Sequence, residues 1–176
     1  MSIQSRDDLE KWYDAPDPWG YEQSTDDLNR RAMLLAVLPE KQYSRVLDIG
    51  CGDGFVTHRL PGESIIGVDL SEKALDFARR RQTPHVDYRA LSIFDLPHAN
   101  VGKFDLVVIT GVLYPQHIGE GQLLVYTIID ELLEPGGHLV CAHITEWYRC
   151  QFPYISLTRE YYRYREFSHV VEVYVK

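Results

Sequence analysis

The chain has 176 residues, 45% of them apolar and 25% charged, with a net charge of −8. That length and apolar content suit one globular domain with a real core, and the acidic balance makes a nucleic-acid phosphate backbone a poor partner. Cys51, Cys141 and Cys150 show neither metal-ligand spacing nor an even-numbered disulfide pattern; with no secretory apolar core at the amino terminus and no apolar run near the ~20 residues that cross a bilayer, a soluble, cytoplasmic chain without a membrane partner is expected.

In chain order, WYDAPDPWGY (12–21) brings aromatic and proline punctuation, followed by an amphipathic helix over STDDLNRRAMLLAVL (24–38). Ser24 or Thr25 serves as its N-cap, and Asp26 and Asp27 suit the helix dipole. Short β-rich runs come next at 44–49, 64–69, 86–91, 104–110 and 137–144. Helix-like stretches lie between them: FVTHRL (55–60), SEKALDFARRR (71–81) and EGQLLVYTIIDELL (120–133). Ser71 caps the second, and Leu75, Phe77 and Ala78 offer its apolar face. The third stops at Glu134-Pro135-Gly136-Gly137. Runs such as LVVI and HLVC are nearly continuously apolar, as strands covered on both faces are. SHVVEVYVK (168–176) alternates as a strand, with TREYYRYREF (158–167) as its antiparallel partner. Strand–helix alternation predicts a doubly wound, mostly parallel α/β sheet of the Rossmann-like class, seven-stranded, with helices on both faces and a C-terminal antiparallel pair.

The stretch LDIGCGDG (47–54) runs from strand to helix with Gly50, Gly52 and Gly54 at alternate positions. In open α/β sheets ligands bind beyond the carboxyl ends of the strands, where strand order reverses. A dinucleotide fingerprint reads G-x-G-x-x-G; this one reads D-x-G-x-G-x-G, with Asp48 two positions ahead of the first glycine. A carboxylate there suits a cationic ligand better than a pyrophosphate. Asp69 ends the next strand, where an acid takes both hydroxyls of a ribose. A ribose, a chain packed against glycine backbone and some positive charge together describe S-adenosylmethionine.

LDIGCGDG, VDLS (68–71), FDLVVITGVLY (104–114) and LLEPGGHLV (132–140), in this order and spacing, resemble the class I S-adenosylmethionine-dependent methyltransferases over residues 24–145. More narrowly, DPW (17–19), VLY (112–114) and PGGHLV (135–140) are similar to the NodS-like group, which includes N-methyltransferases acting on an aminosugar oligosaccharide. The resemblance implies that Asp48 lies near the methionine part and that Gly50, Cys51 and Gly52 supply backbone contact. Gly54 lets the following helix pack. Asp69 binds the ribose hydroxyls, with Leu70 beside the adenine. Ser92, followed by Ile93 and Phe94, stands where relatives place an adenine-binding Asp; Asp95 takes that role if the loop register differs. Thr110, Gly111 and Tyr114 face the methyl donor and the substrate, although many relatives have Glu at the Gly111 position and His or Tyr at the Pro115 position.

Methyl transfer from a sulfonium is an in-line displacement, so the main demand is orientation. A general base is needed only where the nucleophile must shed a proton; the candidates are Tyr114, His117, His143 and Tyr148, with a core or strand-end role as the competing reading of His143. No metal is expected, since Thr110-Gly111 is not followed by an acid pair. The base-methylating [DNS]-P-P-[YFW] tetrapeptide is also missing there. Trp12, Tyr13, Trp19 and Tyr21 form a cap or lid over the strand ends, where Trp faces attract cations, or else simply cover one edge of the domain. Arg30 and Arg31 grip the cofactor carboxylate as a fork, or one of them is solvated helix surface. Trp147, Tyr148, Arg149, Tyr161 and Arg163 are substrate-side candidates, Arg79–Arg81 a favourable helix C-terminus, and Cys51 a small loop filler. One domain is expected over 1–176: an N-terminal helical cap (1–43), a cofactor-binding core (44–145) and a substrate-side C-terminal segment (146–176). The expected function is S-adenosylmethionine-dependent N- or O-methylation of a small-molecule acceptor. The alternatives are a non-catalytic methyltransferase-like binding protein and a nucleic-acid methyltransferase.

Overall fold

The computed structural model describes residues 4–15, 17–149 and 151–176, so Pro16 and Cys150 lie outside the described residues. Two helices open the chain, α1 (Arg6–Trp12) and α2 (Thr25–Ala36). Each starts at a serine whose hydroxyl accepts a backbone N–H three residues on, Ser5 from Asp8 and Ser24 from Asp27, both at 3.2 Å. The core follows as β1 (Arg45–Ile49), β2 (Ser64–Asp69), α3 (Glu72–Arg79), β3 (Val86–Ala90), β4 (Phe104–Thr110), α4 (Pro115–Ile118), α5 (Gln122–Leu132) and β5 (Leu133–Ile144). A hairpin, β6 (Ile155–Tyr164) and β7 (Phe167–Val175), closes the chain.

The strands form one seven-stranded sheet in the order β3-β2-β1-β4-β5-β7-β6. β1 to β5 pair in parallel, and β7 runs antiparallel between β5 and β6. The expected doubly wound sheet with a C-terminal antiparallel pair is therefore present. Strand order reverses between β1 and β4, so the loops after those two strands face each other across the switch point. Period-two alternation places Leu47, Val107 and Leu139 on one face, under Val125, Ile128 and Ile129 of α5. Val46, Leu106 and Val140 lie on the other, with Leu34 of α2 and Tyr43. Among the described residues no helix is long and apolar enough to cross a membrane.

Several elements differ from expectation. FVTHRL forms a single 3-10 turn, Thr57–Arg59, not a helix. Val56 and Thr57 are β-branched, Pro61 ends the run, and the Thr57 hydroxyl is committed to Asp48 at 2.7 Å. β5 begins at Leu133 and carries the Pro-Gly-Gly turn as an irregularity, its register against β4 shifting between Phe104 and Leu106. Helix α1 adds to the one helix placed within the N-terminal cap, its start marked only by Ser5 with Asp7 and Asp8. Phe77 is only partly buried on α3, whose core face is Ala74, Leu75 and Ala78.

Candidate functional site

The loop after β1 turns through Gly50 (φ +76°) and Gly52 (φ +54°), backbone that L side chains reach only with strain. A Cβ on Gly50 would run into Cγ2 of Val112, from the loop after β4. One on Gly52 would lie 2.9 Å from the Tyr13 hydroxyl. The loop is thus pressed by the chain itself, from β4 on one side and the N-terminal segment on the other. Asp69 fastens it from β2: Oδ2 accepts the Gly52 N–H and Oδ1 the Ser71 N–H, both at 2.9 Å. Burial pushes the Asp69 carboxyl above its ordinary pKa, and those hydrogen bonds oppose the shift.

Asp48 is buried at the end of β1. Its Oδ2 accepts the Thr57 hydroxyl, and its Oδ1 has no protein partner. Burial raises this carboxyl to about 7, against the Thr57 hydrogen bond and with help from the Asp69 charge. It borders a cavity of about 540 Å³ over the carboxyl ends of the strands, a size usual for small-molecule sites.

Of the sequence-expected cofactor contacts, the cavity collects Trp19, Arg30, Asp48, Gly50, Cys51, Gly52, Asp69, Leu70, Ser92, Ile93 and Thr110. Gly54 and Phe94 are not on its wall. A Cβ on Gly54 would meet the Tyr88 hydroxyl at 2.7 Å and Ala78 at 3.2 Å, so this glycine admits β3 and α3, not a helix following the loop. Phe94 turns toward Gly121 at the start of α5. Ser92 and Asp95, the two alternatives for the adenine edge, bind each other's loop: Asp95 accepts the Ser92 N–H at 3.0 Å and Ser92 Oγ the Phe94 N–H at 3.2 Å. Only Ser92 of the two borders the cavity.

The four base candidates separate, with Tyr148 off the cavity wall. His117 is on the wall, and burial lowers its pKa, so it is neutral at pH 7. Tyr114 is buried away from the cavity; its hydroxyl accepts the Ile144 N–H at 2.9 Å, and burial raises it to about 12. His143 is also off the wall, packed edge-on to Tyr148 with Nε2 3.7 Å from Glu172, and burial lowers it to about 4. Tyr114 and His143 sit at strand ends as expected, but their side chains pack inward.

The remaining walls come from the chain ends. Trp12 stacks on Trp19 at 6.2 Å and Trp19 on Tyr21 at 5.6 Å. Arg30 lies over Tyr21 at 5.1 Å and pairs with Asp27 at 3.2 Å. Arg31 reaches the Phe55 carbonyl (3.0 Å), not the cavity. Trp147 supplies a wall, whereas Tyr148, Arg149, Tyr161 and Arg163 do not. Sequence reading missed Glu10, whose carboxylate accepts the Ser71 hydroxyl (3.1 Å) and the Glu72 N–H (2.8 Å) at the start of α3. It also missed Asp53, Gln116 and Val112 on the wall, and Arg81, which reaches back to Asp53. No local pattern marks such residues.

A family profile described as "Methyltransferase domain" matches residues 40–171. Among curated proteins, a ubiquinone biosynthesis O-methyltransferase of Thiobacillus denitrificans is 36% identical over 98 residues, covering 53% of this chain and 41% of that one. Its counterpart in Xanthomonas axonopodis pv. citri is 30% identical over 135 residues, covering 73% of this chain and 54% of that one. The chain therefore spans about half the length of the curated relatives it matches. Among solved structures, the N-methyltransferase NodS of Bradyrhizobium japonicum WM9, in complex with S-adenosyl-L-homocysteine, superposes with a TM-score of 0.79 at 22% identity, covering 97% of each chain. That likeness is one of fold.

Proposed function

The chain belongs to the methyltransferase-domain family, and on that premise we propose that it transfers the methyl group of S-adenosylmethionine to a small-molecule acceptor. The observation that carries the reading is one cavity joining Asp48, the Gly50–Gly52 loop and Asp69 to Thr110 and His117 across the switch point. The residues fit the cofactor. The unpartnered Asp48 Oδ1 suits its ammonium group, and the Gly50–Gly52 backbone takes the amino-acid chain. Asp69, whose oxygens keep lone pairs beyond their single backbone bonds, suits the ribose hydroxyls. Leu70, Ile93 and Ser92, on the same wall, would hold the adenine. S-adenosylmethionine, when bound, supplies a methyl group already activated on a sulfonium.

The chain then has to orient the acceptor and exclude water. The stacked Trp12, Trp19 and Tyr21 rings cover the cavity, and orientation of this kind supplies on the order of 7–11 kcal/mol. An acceptor hydroxyl or amine has a proton to lose. His117 is neutral and on the wall, and we assign it as the proton acceptor, a role usually contributing ~10²–10⁴-fold. The net charge of −8 speaks for a small acceptor over nucleic acid, as do the curated relatives named ubiquinone biosynthesis O-methyltransferases.

Isothermal titration with S-adenosylhomocysteine tests the reading. The wild type should bind, and Asp69→Ala should bind at least about tenfold more weakly while keeping its circular dichroism spectrum. An unchanged dissociation constant in the variant would remove the ribose assignment. A folded wild type that does not bind would overturn the cofactor assignment.

A further inference from the structure

We propose that Arg81 is a positioning residue that ties the cofactor loop to the N-terminal wall of the cavity, so that cofactor affinity and the order of that wall change together. Arg81 lies just beyond α3 and uses every face of its guanidinium. Nε donates to the Asp53 carbonyl at 2.7 Å and Nη2 to Asp53 Oδ2 at 2.8 Å. Nη1 donates to Glu22 Oε1 at 2.6 Å. The fork thus spans two segments, 28 and 59 residues away in sequence. The planar fixed fork suits this bridging, and an ammonium would lose it.

Both segments border the cavity. Asp53 is on its wall directly after Gly52. Glu22 follows Tyr21, and the Asp17 carboxylate accepts the N–H of both, at 2.7 Å and 3.0 Å. Arg81 therefore grips a turn that carries the Trp19 and Tyr21 rings. The loop needs such a grip because no α-helix follows it. The successive carbonyls of Asp53, Gly54 and Phe55 each meet a side-chain nitrogen, of Arg81, His58 (2.7 Å) and Arg31 (3.0 Å), and the Gly54 carbonyl also accepts the His58 backbone N–H at 3.2 Å. The Arg81 and Asp53 side chains are only 21% and 8% exposed, which limits screening of the pair. Glu22 itself does not border the cavity, and its carboxylate is paired with Arg81, so comparing the two single variants with the double variant separates the tie from an effect carried by the Tyr21 turn alone.

The inference rests on the cofactor reading for one of its two readouts, the affinity for S-adenosylhomocysteine. The other is amide hydrogen exchange of the protein alone. Glu22→Gln should weaken S-adenosylhomocysteine binding about three- to tenfold and speed exchange both in 17–23 and in the distant 51–56 loop. Arg81→Lys should do so more strongly, and the double variant should be no weaker than Arg81→Lys alone, within twofold. A residue with only a structural role would shift melting temperature and leave the affinity for S-adenosylhomocysteine unchanged. If Glu22→Gln binds within twofold of wild type, or the two effects multiply, the tie is overturned. If wild type does not bind, the cofactor reading fails, and exchange alone decides. Faster 51–56 exchange in Glu22→Gln then upholds the tie, and unchanged exchange removes it.

Discussion

Asp48 shows how a single buried carboxyl couples stability to ligand. Its ordinary pKa of 3.8 rises to about 7 in the fold, so between those values the folded chain holds a proton that the unfolded chain has released. The contribution of this one carboxyl is therefore greatest below about 4 and falls by on the order of 4 kcal/mol as pH rises from about 4 to about 7. Asp48→Asn should therefore raise the melting temperature of the unliganded protein at pH 8 and much less at pH 5, measured calorimetrically. The same substitution should weaken S-adenosylhomocysteine and flatten its pH dependence. On the proposed pairing of Asp48 with the ligand ammonium, wild-type binding should tighten as pH rises through about 7, since that pairing needs the ionised carboxylate. Asp48, the two glycines and Asp69 were legible in sequence because each sits at a fixed offset from a strand end. The direction of Tyr114 and His143 was not. A strand end fixes position, and packing against Ile144 and Tyr148 fixes where the side chain turns.

Among the elements, α1 and the segment after Gly54 depart most from expectation, for opposite reasons. Helix α1 has seven residues and no buried side chain, too little for a periodic signal. What holds it is Glu10, set on the exposed N–H groups at the start of α3. Glu10→Ala should cost about 1 kcal/mol locally, seen as roughly fivefold faster exchange of the 6–12 amides with the sheet amides unchanged. After Gly54 an apolar pattern did suggest a helix. Two β-branched residues and Pro61 work against it, and Thr57 gives its hydroxyl to Asp48. The segment thus supports Asp48, and its first carbonyl, that of Phe55, accepts from Arg31 of α2.

At the scale of the whole molecule, the C-terminal hairpin completes the core. β7 is buried along Val170–Tyr174 and pairs with β5 on one edge and β6 on the other. Glu172, buried within it, is held by Arg159 at 2.6 Å and Tyr174 at 2.9 Å. Removing residues 155–176 should expose the β5 edge and abolish the cooperative thermal transition, checked by calorimetry. The hairpin was legible as alternating residues, and the parallel strands as short apolar runs between turns, because both signals are local. Local periodicity and strand-end motifs were thus enough to determine the doubly wound sheet, its glycine loop and the acids beside it. Only the tertiary structure decided that Tyr13 and Val112 press on the glycines, that Arg81 joins Asp53 to Glu22, and that His117 faces the cavity while Tyr114 does not. Those contacts bring together residues far apart in the chain, and they exist only once strand order and side-chain packing are set.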